Sequence, residues 1–145
     1  MKRTLSVCLI LILLLTAAGC GSKSNSAAAQ PEQYDLDFTT FSSTIVYSEL
    51  YNMMTSPDGY RGMHLKISGI FGFYQDPETG KQYYACVIDD ATACCSLALE
   101  FILEGNAKYP DDYPRVNDPI TVSGYFDTYE ENGMLYCQLA NAKLH

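Results

Sequence analysis

Three regimes of hydrophobic patterning follow one another along the chain: an unbroken apolar run over residues 7–15, a polar stretch without apolar period over 21–33, and regular apolar spacing from about residue 43 onward. Within the third regime the spacing is first helical. Ile45 or Val46, Glu49 to Leu50 and Met53 to Met54 recur at three- and four-residue steps behind Ser42-Ser43-Thr44, an N-cap signal, and ahead of Pro57-Asp58-Gly59, a stop. This predicts a helix over 43–55. The period then switches to two. Met63, Leu65, Ile67, Gly69, Phe71 and Phe73 alternate with His64, Lys66, Ser68, Ile70 and Gly72, as in a half-buried strand. Gly69 and Gly72 inside it mark sharp bends.

Turn residues Asp76-Pro77-Glu78-Thr79-Gly80 return the chain as a second strand over 82–88, with Tyr84, Cys86 and Ile88 facing inward. After a loop at Asp89-Asp90-Ala91-Thr92, Cys95, Leu97, Leu99, Phe101 and Leu103 alternate with Cys94, Ser96, Ala98, Glu100 and Ile102, read as strand with helix as the alternative. A proline-rich loop over 105–119 precedes a fourth strand bearing Ile120, Val122, Gly124 and Phe126. The hairpin turn Asn132-Gly133 leads to a fifth, with Leu135, Cys137 and Leu139 inward. One helix and then five strands, glycine-bent in the first and fourth, predict a mainly β fold: a five-stranded OB-like Greek-key barrel preceded by one N-terminal α-helix.

The apolar run at the N-terminus changes where this domain is expected to work. Lys2 and Arg3 precede it and Ala17-Ala18-Gly19-Cys20 follows it, the layout of a secretory signal. Its length is about half of the ~20 residues needed to span a bilayer. Small residues directly before a cysteine resemble the lipobox of bacterial lipoproteins, although position 17 is alanine where leucine is usual. That resemblance implies cleavage after Gly19, diacylglycerol and palmitate on Cys20, and attachment to the cell membrane facing outside the cytoplasm. The chain then divides into a signal over 1–19, a lipidated cysteine and flexible tether over 20–33, and one domain over 34–145.

Charge narrows the partners. The net charge is −8, and −10 once Lys2 and Arg3 are removed with the signal. No cluster of Lys and Arg offsets it, so nucleic acid is excluded as a partner and the bilayer is reached through the lipid on Cys20. The segment from Pro57 to Phe71, with Tyr60-Arg61-Gly62 and Ile67-Ser68-Gly69, resembles the opening of exported bacterial OB-fold lipoproteins. The paired cysteines before Leu99-Glu100-Phe101, and Tyr109-Pro110-Asp111-Asp112-Tyr113-Pro114, resemble one branch of them. The resemblance covers roughly 43–144 and implies a fold rather than an activity. It also implies that the third strand lies between the second and the fifth, which would gather Cys86, Cys95 and Cys137 on the inward side, with Cys94 turned away or in the loop leading into the strand.

Cys86, Cys94, Cys95 and Cys137 are therefore candidates for disulfides, buried thiols, a zinc or copper site, or redox chemistry, the last without a Cys-x-x-Cys motif to support it. Against zinc stands the absence of a spacer between Cys94 and Cys95, since neighbours on a strand face apart. The acidic pairs at 89–90, 111–112 and 130–131 read as solvated turns, and His64 and His145 as surface residues. No serine-histidine-aspartate order, nucleotide-binding glycine loop or His-Glu-x-x-His segment is present, so an enzyme is not expected and no cofactor is implied. Among the 12 tyrosines, Tyr83, Tyr125 and Tyr136 have outward parity and Tyr109 and Tyr113 flank a loop. They are the candidate binding face for an envelope protein, peptide or glycan. The expected function is thus a non-enzymatic binding or assembly module at the cell envelope, with thiol or metal handling by the cysteines as the alternative.

Overall fold

The computed structural model describes residues 32–145. The predicted signal, Cys20 and nearly all of the tether lie outside the described residues. The described elements are β1 (Leu36–Asp37), α1 (Ser43–Thr55), β2 (His64–Gln75), β3 (Gln82–Asp89), β4 (Ser96–Leu103), β5 (Pro119–Glu131) and β6 (Met134–Leu144). The fold is mainly β, with six strands rather than five. The additional strand, β1, pairs parallel to β2 over two residues, too few to register as a period.

Helix α1 has the bounds its spacing predicts. Ser42 holds the extended backbone of an N-cap, although its side chain makes no capping bond. Val46, Leu50 and Met53, one helical stripe, are buried, whereas Ile45 remains 54% exposed. The helix stops at Ser56 and a 3-10 turn over Pro57–Gly59 redirects the chain into β2.

Strands β2, β3, β4, β6 and β5 hydrogen-bond in that order, and β5 pairs back to β2, so the sheet closes in a ring. Every contact in the ring is antiparallel except β4 with β6. The third long strand thus lies between the second and the fifth, as expected. Period-two alternation fills the interior: Leu65, Ile67 and Phe71 from β2, Cys86 and Ile88 from β3, Leu99 and Phe101 from β4, Val122 and Phe126 from β5, and Leu139 from β6 are all buried. The buried stripe of α1 joins this same core, and the 104–118 connection contributes Tyr109 and Tyr113.

Two inward assignments fail for physical reasons. Strand β4 begins at Ser96, so Cys95 belongs to the preceding loop and is exposed instead of inward. Leu135 is 51% exposed. The β5–β6 ladder runs out to Glu131 opposite Met134, whereas β6 first pairs with β4 at Gln138, so this hairpin projects past the ring and Leu135 has no interior to face.

Candidate functional site

The projecting hairpin borders a cleft on the outer face of the sheet. Outward residues of β2, β3 and β4 form its floor, and Gly72, Ala85, Val87 and Ala98 are all small. Tyr74, Tyr83 and Tyr136 stand around them, and Glu131 and Asn132 of the hairpin reach over the edge. The volume is about 470 Å³, of the size that takes a small ligand or a few residues of a chain. A second cleft of about 470 Å³ shares Tyr83 and Glu100 with it and continues toward Tyr129 and Gln138.

Glu131 organises the rim. Its Oε1 accepts from Lys81 Nζ at 2.6 Å and its Oε2 from the Tyr83 hydroxyl at 2.8 Å. These two donors hold its carboxyl below the usual range, Lys81 first, and Lys81 is itself raised by the same bond. The Lys81 ammonium also lies 4.7 Å from the Tyr83 ring centroid and 5.2 Å from that of Tyr129, within cation–π range. Glu100 differs. Its Oε2 accepts from the Tyr129 hydroxyl at 2.7 Å, yet burial outweighs that bond and raises its pKa. The Tyr129 hydroxyl is raised by burial and then by Glu100. The rings of Tyr129 and Tyr136 stack at 5.4 Å. A cation is thus already held here between a carboxylate and tyrosine faces, and beside it a half-buried carboxylate has only a neutral donor.

Of the five predicted tyrosines, the structure brings Tyr83 and Tyr136 together at this cleft. Tyr125 lies elsewhere, stacked on His64 at 4.6 Å. Tyr109 and Tyr113 face inward, where Tyr109 stacks on Phe73 at 4.2 Å and Tyr113 on Tyr84 at 4.1 Å. The two histidines are engaged as well: His64 Nδ1 is 3.0 Å from the Gln33 carbonyl, and His145 Nε2 is 2.8 Å from the hydroxyl of buried Ser123. Sequence reasoning missed Tyr74, Lys81, Glu100, Tyr129 and Glu131. The outward series Ser96, Ala98, Glu100 was a usable signal, because two small residues before an acid on one face leave room beside a charge.

The four described cysteines are free thiols and do not converge on one place. Cys86 is buried in the core, and burial pushes its thiol up to about 12. Cys137 is buried near the end of α1, with Sγ 4.0 Å from the Met54 carbonyl, and burial raises it too. Cys94 and Cys95 are exposed in the β3–β4 loop with their sulfurs 3.7 Å apart. Neighbouring sulfurs face apart only on a strand, and this pair is not on one, so the argument against a shared ligand does not apply to it.

No helix among the described residues is long and apolar enough to cross a membrane. Compared with protein-family models, with curated proteins and with solved structures, the chain has no match.

Proposed function

We propose that this chain is a lipid-anchored, extracytoplasmic binding module, an OB-type barrel tethered through Cys20, which grips a cationic polypeptide segment of an envelope partner and catalyses no reaction. The position of the cleft carries this reading. OB barrels bind ligands on the face of their second and third strands, between the loops that join strands one to two and four to five. In the ring of this protein those elements are β3, β4, the turn over 76–81 and the Asn132-Gly133 turn, and Asp76, Tyr83, Ala98, Glu100 and Asn132 from these elements line the cleft.

The chemistry of the rim selects the ligand class. Carboxylates at Asp76, Glu100 and Glu131 repel anions, and tyrosine faces attract an ammonium or guanidinium. Lys81 serves as an internal example of the grip. A second lysine or arginine, presented by a partner, would meet Glu100, whose carboxylate accepts a hydrogen bond from the neutral Tyr129 hydroxyl.

Calorimetric titration of the full chain with a lysine-rich peptide and a glutamate-rich peptide of equal length tests the reading. Selective binding of the first, weakened by salt and reduced at least tenfold by Ala98→Trp with the fold intact, is the expected outcome. Equal binding of both peptides, or indifference to Ala98→Trp, overturns it. The anchor is tested separately: an alkyne analogue of palmitate fed to producing cells should label the chain, and Cys20→Ser should abolish the label and release the protein from membranes.

A further inference from the structure

We propose that the β3–β4 loop is a zinc(II) site, with Asp90, Cys94 and Cys95 as its three protein ligands and a fourth position open to water or to a ligand from outside. The three donor atoms already lie within 4.8 Å of one another. Cys94 Sγ is 3.7 Å from Cys95 Sγ and 3.2 Å from Asp90 Oδ2. Tetrahedral zinc, with bonds of about 2.3 Å to sulfur and about 2.1 Å to oxygen, spaces two sulfurs about 3.8 Å apart and a sulfur and an oxygen about 3.6 Å apart. The sulfur pair therefore stands at the metal-bound spacing and the Cys94–Asp90 edge lies about 0.4 Å from it, while the Asp90–Cys95 edge, within 4.8 Å, closes by up to about 1.2 Å as the carboxylate swings toward the ion.

The backbone accounts for this arrangement. Asp90 N donates to the Cys95 carbonyl at 2.9 Å and Ala93 N to the Asp90 carbonyl at 3.0 Å, which closes a short loop. Ala93 takes the left-handed region at φ 53°, and the turn it makes leaves the next two side chains on one side. Cys94 N donates to Asp90 Oδ1 at 3.0 Å, so the carboxylate is fixed by one oxygen while the other faces the thiol. The Thr92 hydroxyl, 3.1 Å from Cys94 Sγ and from Asp90 Oδ2, is the neighbour available to orient the ligands. Tyr47 of α1 is close enough that Cys95, Asp90 and Cys94 raise its hydroxyl, after burial.

The donor set chooses the metal. Two thiolates with one carboxylate suit a borderline ion such as zinc, whereas copper(I) favours sulfur alone and calcium or magnesium oxygen alone. Both cysteines are exposed, so an ion can enter without opening the fold. Metal displaces the thiol protons, and affinity accordingly rises with pH. The loop lies at the opposite end of β3 from Lys81 and Tyr83, so this site stands or falls independently of the cleft.

The test uses the full chain in detergent, reduced with a phosphine under nitrogen, with its thiols counted first. Zinc affinity is measured by competition with a chromogenic chelator, and cobalt(II) serves as the spectroscopic probe. One equivalent of zinc is expected, with a thiolate-to-cobalt charge-transfer band in the near ultraviolet. The variant carrying Cys94→Ser and Cys95→Ser should bind at least about 100-fold more weakly, and Asp90→Asn about tenfold, whereas Cys8→Ser and Cys20→Ser should change nothing. Bound zinc should also protect Cys94 and Cys95 of the unmodified chain from alkylation, mapped by peptide mass spectrometry, a readout that needs no variant. Undiminished binding in the double variant, absence of binding by a chain whose thiols count as free, or alkylation of both cysteines at an unchanged rate overturns the proposal.

Discussion

Gly69 tests how tightly the ring is closed. At this residue β2 is paired with β5, opposite Ile120, and one residue later the ladder to β3 begins at Ile70 opposite Val87. A methyl group at position 69 would come within 2.7 Å of Cys86 Sγ and would overlap the Val87 carbonyl oxygen. Neither obstacle is the loose end of a flexible side chain, for one is backbone and the other a fully buried thiol. Overpacking of this kind costs about 1–3 kcal/mol, and a strand prefers alanine over glycine by only about 0.5–1 kcal/mol. Because one obstacle is backbone, the cost lies at the top of that range, and Gly69→Ala is expected to lose about 2 kcal/mol net. Cys86→Ala removes one buried heavy atom and should lose about 1 kcal/mol. The double variant separates the two obstacles: with the sulfur gone, only the carbonyl overlap persists, so the combined loss should fall short of the sum by about 1 kcal/mol. Urea unfolding in the presence of reductant, with equal slopes for all four proteins, measures the cycle. Additivity within about 0.5 kcal/mol would refute the claim that the Cys86 sulfur is one of the two obstacles to a side chain at position 69.

Three further outcomes follow from the same geometry. Tyr113→Ala should lose about 2–3 kcal/mol because its half-buried ring stacks on Tyr84 and packs against the core, whereas Tyr113→Phe should stay within about 0.5 kcal/mol, both read by urea midpoint. In native alkylation at neutral pH, Cys94 and Cys95 should react well before Cys86, whose burial keeps it a thiol; early modification of Cys86 in peptide maps would contradict its placement. Glu100 and Glu131 should oppose each other in pH dependence. The lowered carboxyl of Glu131 adds stability that is present above the ordinary glutamate range and lost as pH falls through its folded value. The raised carboxyl of Glu100 makes folding less favourable as pH climbs from the ordinary glutamate value through its folded one. Thermal midpoints of Glu100→Gln should consequently gain on the parent protein between pH 3.5 and pH 7, and those of Glu131→Gln should fall behind over the same interval.

What the sequence made legible was whatever obeys a period. Alternation over 63–73 and 82–88 located β2 and β3 to within two residues, and the glycine at 69 marked the bend where the ring closes. Asn132-Gly133 named its turn because both residues must take positive φ, here 51° and 76°. Periodicity says which side of a strand a residue takes, but not where the strand begins or whether the ring extends that far. Cys95 and Leu135 both have inward parity, and both are exposed, one because β4 starts a residue later and the other because the hairpin overshoots its neighbour. A two-residue strand such as β1 leaves no periodic trace at all.

The same limit explains why the candidate sites were hidden. The cleft is built from residues with outward parity, and outward parity alone does not distinguish a solvated side chain from one roofed by a hairpin that folds back over the sheet. Glu131 appeared as half of an acidic pair in a turn; only the overshoot of β5 and β6 brings it onto Lys81 and Tyr83, about 50 residues away in sequence. The cysteines show the converse. Treated as one cluster of four, they demand that three strands align their sulfurs. Treated as a pair in a six-residue loop, they need only local turns, and Asp90, which alternation had left as a solvated acid, supplies the third donor. Chemistry that depends on a loop closing on itself is thus settled within a few residues, while chemistry that depends on a hairpin reaching across a sheet is settled by the register of strands far apart in the chain. On that reasoning zinc binding at 90–95 should tolerate changes at the hairpin tip, and the cleft should not.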